Sequence, residues 1–390
     1  MGKKKILFSI LSLKKNDFNY SGGGNYAITL INILEEANYE IIFLYDSLYE
    51  IEKDILKVIK FDRKKKIDIN EFINSNDLEK YIDDNFKLFF SPVREKFRNF
   101  NFKKVKYIYP IHDLRDLELK YNFTSLKYVI GVKKKIKRII KIIITPFYLK
   151  KLKARIFPKK NEIILTVSDY TKYSIKYYFP TINLDSIYVI PPIYHSGSYS
   201  EKNIEKKVLR EVGVEKENFY FLTNANRWEK NIELFIETYD KLIDTHQLEK
   251  KALILGVKKN IFKVKNRDKF IFLDYVDYER LDIFYKNCYA YIYPTLNEGY
   301  GLPPVEAMKY GTVIIAAANT AIFEVCENGV IYFKSNSRNE LANKILKIEY
   351  SKEDYFKMKI KSKERYEILN STNILIKEKY LQLFERLLNY

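Results

Sequence analysis

The chain has 390 residues, enough for two domains with full cores, and 47% apolar with 16% aromatic residues excludes wholesale disorder. The formal net charge of +19 indicates an anionic partner: nucleic acid, an anionic membrane or a phosphorylated substrate. Two cysteines are too few for a disulfide scaffold or a zinc site, so a reducing compartment is expected. The three histidines are scattered and form no metal motif, so no metal ion is expected.

Strands and helices are predicted to alternate through the first half of the chain. The first apolar run is short, is followed by Lys14 and Lys15, and lacks a small-residue cleavage site, so it predicts a buried strand rather than a signal peptide. The order of strand, loop, helix and strand predicts a parallel sheet. The predicted strands are 5–12, 40–45, 87–90, 106–109, 162–167 and 187–190, with a glycine loop at 21–24 and a helix at 26–37.

The second half repeats this scheme after Pro191 and Pro192, which mark the predicted boundary between domains 1–192 and 193–390. Its predicted strands are 219–223, 251–255, 269–273, 289–294, 312–316 and 329–333, and helical patterns then run to Tyr390. The prediction leaves open that the last helix crosses back to the first domain. Two doubly wound Rossmann-like α/β domains facing each other would bind ligands in the cleft between them, at the carboxyl ends of the strands.

The stretch Asn297–Gly311 carries the sharpest motif. A predicted strand leads into the turn Glu298-Gly-Tyr-Gly301, and prolines follow where a helix begins. Free backbone N–H groups at such a turn favour an anion, whereas the carboxylates of Glu298 and Glu306 favour sugar hydroxyls. The combination predicts a nucleotide sugar as ligand.

The run from Glu298 to Glu306 resembles the E-x7-E signature of retaining glycosyltransferases of the GT-B fold, in the large family 4 group. Weaker resemblances, found in the family's order, are at 22–24, 112–118, 226–231, 272–276 and 312–316. The resemblance covers nearly the whole chain. It implies a GT-B fold and a metal-independent enzyme that uses a nucleotide-diphosphate sugar as substrate and needs no cofactor.

The resemblance also implies roles for individual residues. Glu298 would hold the donor sugar as a catalytic residue, and Glu306 would hold the ribose. Arg227 and Lys230 would neutralise the leaving diphosphate, although many family members separate these two cations by five positions and this chain by three. The remaining donor-binding candidates are Gly299, Tyr300, Gly301, Leu302, Gly23, Gly24, Tyr275 and Val276. The alternative is that Glu298 caps a turn, Glu306 is solvated, and the two cations are a solvated loop pair.

His112 follows a predicted strand end and is the second catalytic candidate. The resemblance implies that it contacts the donor sugar near the reaction centre, where it could bond a hydroxyl or donate to the leaving phosphate. Asp113 could orient it or could cap the next turn. Ser168 and Thr171 are interpreted as caps of the following helix, and Cys288 and Cys326 as packing residues.

The segment 121–160 holds thirteen Lys or Arg and no Asp or Glu. Apolar residues recur there at helical spacing, between the membrane-binding candidates Lys133, Lys134, Lys135, Lys137 and Arg138. This pattern favours attachment to an anionic membrane surface. The alternative is that the apolar stripe packs on the N-terminal domain. Nucleic-acid binding is disfavoured, because no nucleic-acid module is recognisable.

The sequence therefore predicts a retaining glycosyltransferase that moves a sugar to a hydroxyl of a glycolipid or polysaccharide acceptor. We expect it to be cytoplasmic and peripheral on the inner face of a bacterial cell membrane. Two alternatives stay open: another GT-B enzyme, such as a sugar-nucleotide epimerase or a phosphorylase, or a basic nucleic-acid-binding protein.

Overall fold

The computed structural model describes residues 4–13, 22–51, 56, 59–61, 65–92, 94, 97–119, 123–126, 128–129, 131–144, 159–193, 202–256 and 262–389. The chain divides into two compact units. Unit 1 comprises 1–112, 150–193 and 372–390, and unit 2 comprises 113–149 and 194–371.

Unit 1 is built on a seven-stranded parallel sheet with the order β3-β2-β1-β4-β5-β6-β7. Its strands are β1 (Lys5–Ser9), β2 (Glu40–Tyr45), β3 (Lys65–Asp68), β4 (Leu88–Phe90), β5 (Lys106–Ile111), β6 (Glu162–Thr166) and β7 (Ile187–Val189). The central strands are uninterrupted apolar runs because helices cover a parallel sheet on both faces. The unit's helices are Gly22–Glu36, Ser75–Asn85, Asp169–Tyr178 and Asn373–Asn389.

Unit 2 is built on a six-stranded parallel sheet with the order β10-β9-β8-β11-β12-β13. Its strands are β8 (Phe219–Leu222), β9 (Lys251–Leu255), β10 (Phe270–Leu273), β11 (Ala290–Tyr293), β12 (Val313–Ala318) and β13 (Ile331–Lys334). Its helices are Arg115–Glu118, Val132–Ile143, Lys202–Val212, Ile232–Asp244, Tyr278–Asn287, Leu302–Met308, Ile322–Cys326, Arg338–Tyr350 and Lys352–Ser371. The side chains of β8, β9 and β12 interleave with those of Ile232–Asp244 to form its core.

The structure places the segment 113–149 in unit 2. The sequence prediction had assigned residues 121–160 to the first domain. The reason is local packing. Tyr128 lies against the core of unit 2, with its ring edge-on to Phe262 at 5.4 Å between centroids. The final helix, Asn373–Asn389, groups with unit 1. Residues 145–158, which belong to the predicted basic segment, lie outside the described residues.

Two parallel sheets of alternating strands and helices confirm the predicted fold class. β3 was missed, because it is a short edge strand with two exposed lysines, Lys65 and Lys66, and shows no apolar run. Within the described part of the chain, every helix is too short or too polar to cross a bilayer.

Candidate active site

The strand order of unit 2 reverses between β8 and β11, which are neighbours in the sheet. Ligands of doubly wound folds bind at the carboxyl ends of strands at such a reversal. β8 leads into a loop with Arg227 and Lys230, and β11 leads into the loop with Glu298. The topology therefore brings together charged residues that are about 70 positions apart in the chain.

Lys230 and Glu298 form a direct ion pair between Nζ and Oε1. Only 3% of the Lys230 side chain and 15% of the Glu298 side chain are exposed. Lys230 Nζ also donates to Tyr293 Oη at 3.0 Å, and Thr295 Oγ1 donates to Glu298 Oε1 at 2.8 Å. One further hydrogen bond on each side, from Lys230 to Tyr293 and from Thr295 to Glu298, holds the pair in place, as a buried ion pair requires.

The pKa values of this pair follow from burial and from the partner's charge. Burial lowers the pKa of Lys230 more than Glu298 raises it, so its pKa lies below the usual range. Burial raises the pKa of Glu298, but Lys230, Thr295 and Arg227 outweigh it, so its pKa lies below the usual range. Glu298 is therefore a carboxylate at neutral pH, able to accept bonds from hydroxyl groups.

Arg227 shares the carboxylate of Glu229 with a second arginine. Arg227 Nε lies 2.7 Å and Nη2 lies 2.6 Å from Glu229 Oε1, and Arg115 Nη1 contacts the same oxygen. The Glu229 side chain is only 5% exposed. Burial raises the pKa of Glu229, but the two guanidinium groups outweigh it and the pKa lies below the usual range. Arg227 thus reaches the loop edge with its charge partly neutralised.

The loop before Glu298 is held from two other elements. Asn297 Nδ2 donates to Glu118 Oε2, which belongs to the short helix Arg115–Glu118. The backbone N–H of Glu298 donates to Thr320 Oγ1 at 3.0 Å, in the loop after β12. Thr320 has a φ of 43°, in the left-handed region. The backbone around Glu298 is therefore fixed independently of the ion pair.

The glycine turn after Glu298 has the predicted form. Gly301 precedes the helix Leu302–Met308 with a φ of 102°, and Pro303 lies in its first turn. A Cβ at Gly301 would lie 2.6 Å from Ile322 Cδ1, so conformation and space both require glycine. Gly299 and Tyr300 are buried, and Leu302 is half-buried. The helix has seven residues, so its dipole is small and the cations of Arg227 and Lys230 matter more to an anion.

Glu306 lies inside that helix and differs electrostatically from Glu298. Burial raises its pKa to about 7, although Tyr285, Lys230 and Lys309 act in the opposite direction. Tyr285 Oη donates to Glu306 Oε2 at 3.2 Å. The two carboxylates of the motif therefore have different protonation states near neutral pH.

Tyr275 joins the same edge of the sheet from the end of β10. Its Oη donates to Asn226 Oδ1 at 2.7 Å, and Asn226 directly precedes Arg227. A Cβ at Gly256, after β9, would lie 3.3 Å from Tyr275 Cζ, so glycine permits this approach. Val276 follows Tyr275 and is half-buried. The residues predicted to border the base are thus adjacent to the basic loop.

His112 and the glycines lie in unit 1. His112 follows β5, and its ring is edge-on to Tyr26 at 5.2 Å between centroids. Its backbone carbonyl accepts from Thr171 Oγ1 at 3.4 Å. Gly23 and Gly24 lie in the first turn of Gly22–Glu36, not in a loop before it as predicted. The apolar pattern begins only at Tyr26, so the sequence did not reveal this turn.

Ser168 is a helix cap, as predicted, since it accepts from the backbone N–H of Thr171 at 3.2 Å. Cys288 and Cys326 are both buried. Over the described ranges, histidine, cysteine and acidic side chains form no group of three suited to a metal ion.

The helix Val132–Ile143 exposes both its cations and most of its apolar residues. Val132 is 74%, Ile136 and Ile140 are 51% and Ile143 is 65% exposed, whereas Ile142 is buried. Lys133, Lys134, Lys135 and Lys137 are exposed as predicted. Arg138 is a correction: its Nε donates to Ser125 Oγ at 2.9 Å, and its guanidinium lies 5.7 Å from the Trp228 ring centroid. Its guanidinium therefore points towards other residues of unit 2, because both partners lie there.

Several residues of this arrangement were missed from the sequence. Thr295 and Asn297 flank the motif and could have been noticed as polar residues directly after a strand. Glu229 lies between two predicted cations, and Asn319 with Thr320 follows another strand end. Arg115 and Glu118 lie in the 112–118 run that resembles the family, but their position next to the second-half loops depends on tertiary packing.

Solved structures with the same architecture are glycosyltransferases. A glycosyltransferase from Rickettsia africae aligns with a TM-score of 0.67 and 15% identity, over 100% of this chain and 99% of that one. HepE of Anabaena in complex with UDP-glucose aligns with a TM-score of 0.68 and 14% identity, over 98% and 99%. WaaG, a glycosyltransferase involved in lipopolysaccharide biosynthesis, aligns with a TM-score of 0.64 and 12% identity, over 97% and 99%. The fold is therefore GT-B.

A family model matches the sequence of part of unit 2. Residues 204–365, which include Arg227, Glu298 and Glu306, match the family model of Glycosyl transferases group 1.

Two curated relatives are similar over shorter regions. The O-antigen chain mannosyltransferase RfbU of Salmonella typhimurium is 32% identical over 195 residues, 49% of this chain and 52% of that protein. The serotype-specific mannosyltransferase WbdA of Escherichia coli is 29% identical over 107 residues, 25% of this chain and 13% of that protein. The chain thus spans about half, or less, of the curated relatives it matches.

Proposed function

We propose that the protein is a retaining glycosyltransferase that moves a sugar from a nucleotide-diphosphate sugar to an acceptor hydroxyl. The observation that carries the proposal is the meeting of Arg227, Lys230 and Glu298 at one reversal of strand order, inside the region that matches the family. Two cations suit a diphosphate, and a fixed carboxylate suits sugar hydroxyls.

In the proposed reaction, the donor's diphosphate competes with Glu298 for Lys230 and with Glu229 for Arg227. Phosphate binding then releases an oxygen of Glu298 to accept a sugar hydroxyl. As the bond between sugar and phosphate breaks, negative charge grows on the leaving oxygen, where the two cations stabilise it. The acceptor hydroxyl attacks from the same face and passes its proton to that oxygen, which retains the configuration and needs no metal ion.

The relatives support a surface-polysaccharide role. RfbU is named for O-antigen chain synthesis, WaaG for lipopolysaccharide biosynthesis, and RfbU and WbdA are both named mannosyltransferases. We therefore propose a lipid-linked or growing glycan as acceptor, and a mannosyl donor as the first to test. The HepE complex with UDP-glucose supports including uridine donors in the same comparison.

The test is a thermal-shift panel of nucleotide sugars, including GDP-mannose and UDP-glucose, followed by an assay of nucleoside-diphosphate release. A donor that binds only the folded state raises the midpoint temperature of unfolding, because at a hundredfold excess over Kd it increases the free energy of unfolding by about 2.7 kcal/mol. We expect diphosphate release only when a glycan acceptor is present. Release without acceptor would indicate hydrolysis, and epimerised donor would indicate an epimerase. Salt-sensitive binding to generic DNA without donor binding would support the nucleic-acid alternative.

We further propose that the helix Val132–Ile143 attaches the protein to the inner face of an anionic membrane. Exposure of Val132, Ile136, Ile140 and Ile143 argues against the alternative that the apolar stripe is used for packing on a domain. Exposed lysines lie between these residues, and the helix carries no acid. Apolar side chains entering the headgroup region, with lysines on anionic lipids, satisfy both groups.

Flotation with phosphatidylglycerol-containing vesicles tests this attachment. Changing Lys133, Lys134, Lys135 and Lys137 to Gln should release the protein, since each lysine near an anionic surface contributes about 1 kcal/mol. The matched control changes four exposed cations of the helix Lys202–Val212 to Gln: Lys202, Lys206, Lys207 and Arg210. Equal release by both variants would indicate a net-charge effect, and absence of wild-type flotation would refute the attachment.

A further inference from the structure

The short helix Arg115–Glu118 contacts both loops of the candidate donor site. Arg115 bonds the carboxylate of Glu229 in the loop after β8, and Glu118 accepts from Asn297 in the loop after β11. All four residues belong to unit 2. Two contacts from a single four-residue helix thus link the loop of Arg227 to the loop of Glu298.

Arg227 and Arg115 share one oxygen of one carboxylate. Arg227 contacts Glu229 Oε1 through Nε and Nη2, and Arg115 contacts the same Oε1 through Nη1. Arg227 can bind a diphosphate only by giving up part of this contact. The Glu229 side chain is only 5% exposed. A buried carboxylate that loses its cation partner strongly destabilises the fold.

Arg115 removes this conflict, because it can keep Glu229 neutralised when Arg227 turns to a phosphate. The Arg115 side chain is 29% exposed and the Arg227 side chain 43%, so Arg227 is the more accessible of the two. Asp113 is the further acid beside Arg115, with 3.8 Å between Oδ2 and Nη2, and its 30% exposure gives it access to water. The shorter contact of Arg115 is therefore with Glu229.

We propose that Arg115 is a positioning residue of the donor site, which holds Glu229 so that Arg227 is available to the diphosphate of the donor. This rests on the proposed function, because it assigns Arg227 to a phosphate. Arg115 itself need not touch the ligand. Without Arg115, Arg227 would be the cation that neutralises Glu229, and phosphate would have to separate a buried ion pair.

A double-mutant cycle measured by calorimetry with UDP, GDP, ADP and dTDP tests the proposal. For whichever diphosphate the wild type binds, Arg115→Ala should weaken affinity about tenfold, since Arg227 is then held by Glu229. Arg115→Lys should restore most of that loss. Glu229→Gln should leave affinity at or above the wild-type value, and the double variant Arg115→Ala/Glu229→Gln should stay within about threefold of Glu229→Gln alone.

The control is Arg280→Ala, which breaks an exposed pair with Glu211 at 3.4 Å and should leave affinity unchanged. Unchanged affinity in Arg115→Ala would overturn the proposal. A double variant as weak as Arg115→Ala would also overturn it, by indicating direct contact with the ligand or a general structural role. If Arg227→Ala, but not Arg115→Ala, weakens binding, the proposed function stands without this inference. If the wild type binds none of the four nucleotides, both fail.

Discussion

The strand ends of the two sheets differ in the chemistry they carry. Around β8 and β11, Arg227, Lys230, Glu229 and Glu298 are held as buried or partly buried ion pairs. Around β5, His112 lies against an aromatic ring, and its carbonyl accepts from a hydroxyl. One region holds fixed charges that a charged ligand can rearrange, and the other holds an imidazole ring packed edge-on against a tyrosine.

This difference indicates which kind of ligand group each sheet edge suits. Ion pairs are expensive to bury, so a sheet edge that keeps several of them is suited to a ligand of matching charge. A packed ring distinguishes ligands by shape and by single hydrogen bonds. We therefore expect substitutions in unit 2 to change donor binding and substitutions at His112 to change turnover alone.

The largest effect is expected from Glu298. Glu298→Gln preserves the shape and can still accept from Lys230 and Thr295, but it removes the charge that we propose holds the sugar. We expect turnover to fall at least 100-fold, the scale seen when a group that stabilises the transition state is removed. Glu298→Ala should also lose stability, by about 3–5 kcal/mol, because Lys230 is left buried without a carboxylate.

The matched control for this change is Glu349→Gln. Glu349 bonds Lys250 at 2.6 Å and Tyr220 at 2.6 Å, so it is also a carboxylate with a lysine and a hydroxyl partner. Tyr220 lies near the amino end of β8, away from the loops of the candidate site. We expect lower stability with normal turnover. Near-normal turnover in Glu298→Gln would refute its proposed role.

His112→Ala should have the next largest effect on turnover. If it also weakens nucleotide binding, the contrast between the two sheet edges is wrong. We expect kcat to fall about 100-fold, typical for a group that moves a proton or bonds the reacting sugar, while affinity for the nucleoside diphosphate is unchanged. Calorimetry and initial rates on one preparation measure both quantities.

Tyr26→Phe is the control for His112. It keeps the ring against His112 but removes the 2.7 Å bond between the hydroxyl groups of Tyr26 and Tyr380. We expect a stability loss of about 1 kcal/mol with normal turnover. A loss of nucleotide affinity in His112→Ala alone would mean that this histidine belongs to the donor site.

The fold could be predicted from the sequence because parallel strands are long apolar runs. β2 and β9 were predicted with their observed ends, since each is bounded by charged or turn residues. The edge strand β3 was not predicted, because exposure of one face removes the apolar signal. The assignment of 113–149 to unit 2 was also not predicted, since it depends on where Tyr128 packs and not on the local sequence pattern.

The candidate site was predicted in part. Glu298, Arg227 and Lys230 lie in motifs at strand ends, so the contact of Lys230 with Glu298 follows from topology. Arg115 lies far from these motifs in the chain and reaches Glu229 only in the folded unit. Arg138 was assigned by composition to the exposed basic face, and only its contact with Trp228 shows which way it points.

The smallest expected effect is a difference in pH dependence between the two carboxylates of the motif. Burial raises the pKa of Glu306 to about 7, so its protonated form is favoured in the folded state. The stability that it contributes is complete below the unfolded pKa of about 4.5 and is lost as pH rises through about 7. Glu306→Gln should therefore be more stable than the wild type at pH 8, by about 1–3 kcal/mol, and similar at pH 4.5.

Glu298 provides the opposite sign within the same motif. Its pKa is lowered in the folded state, so its stabilising contribution is present above the unfolded pKa and is lost as pH falls through the folded value. Urea unfolding at pH 4.5 and pH 8 should show Glu298→Gln less stable than the wild type at the higher pH, where Glu306→Gln is more stable. If both variants shift in the same direction at pH 8, the two carboxylates do not differ in protonation, and the contrast between an ionised sugar-holding group and a buried, protonatable one is wrong.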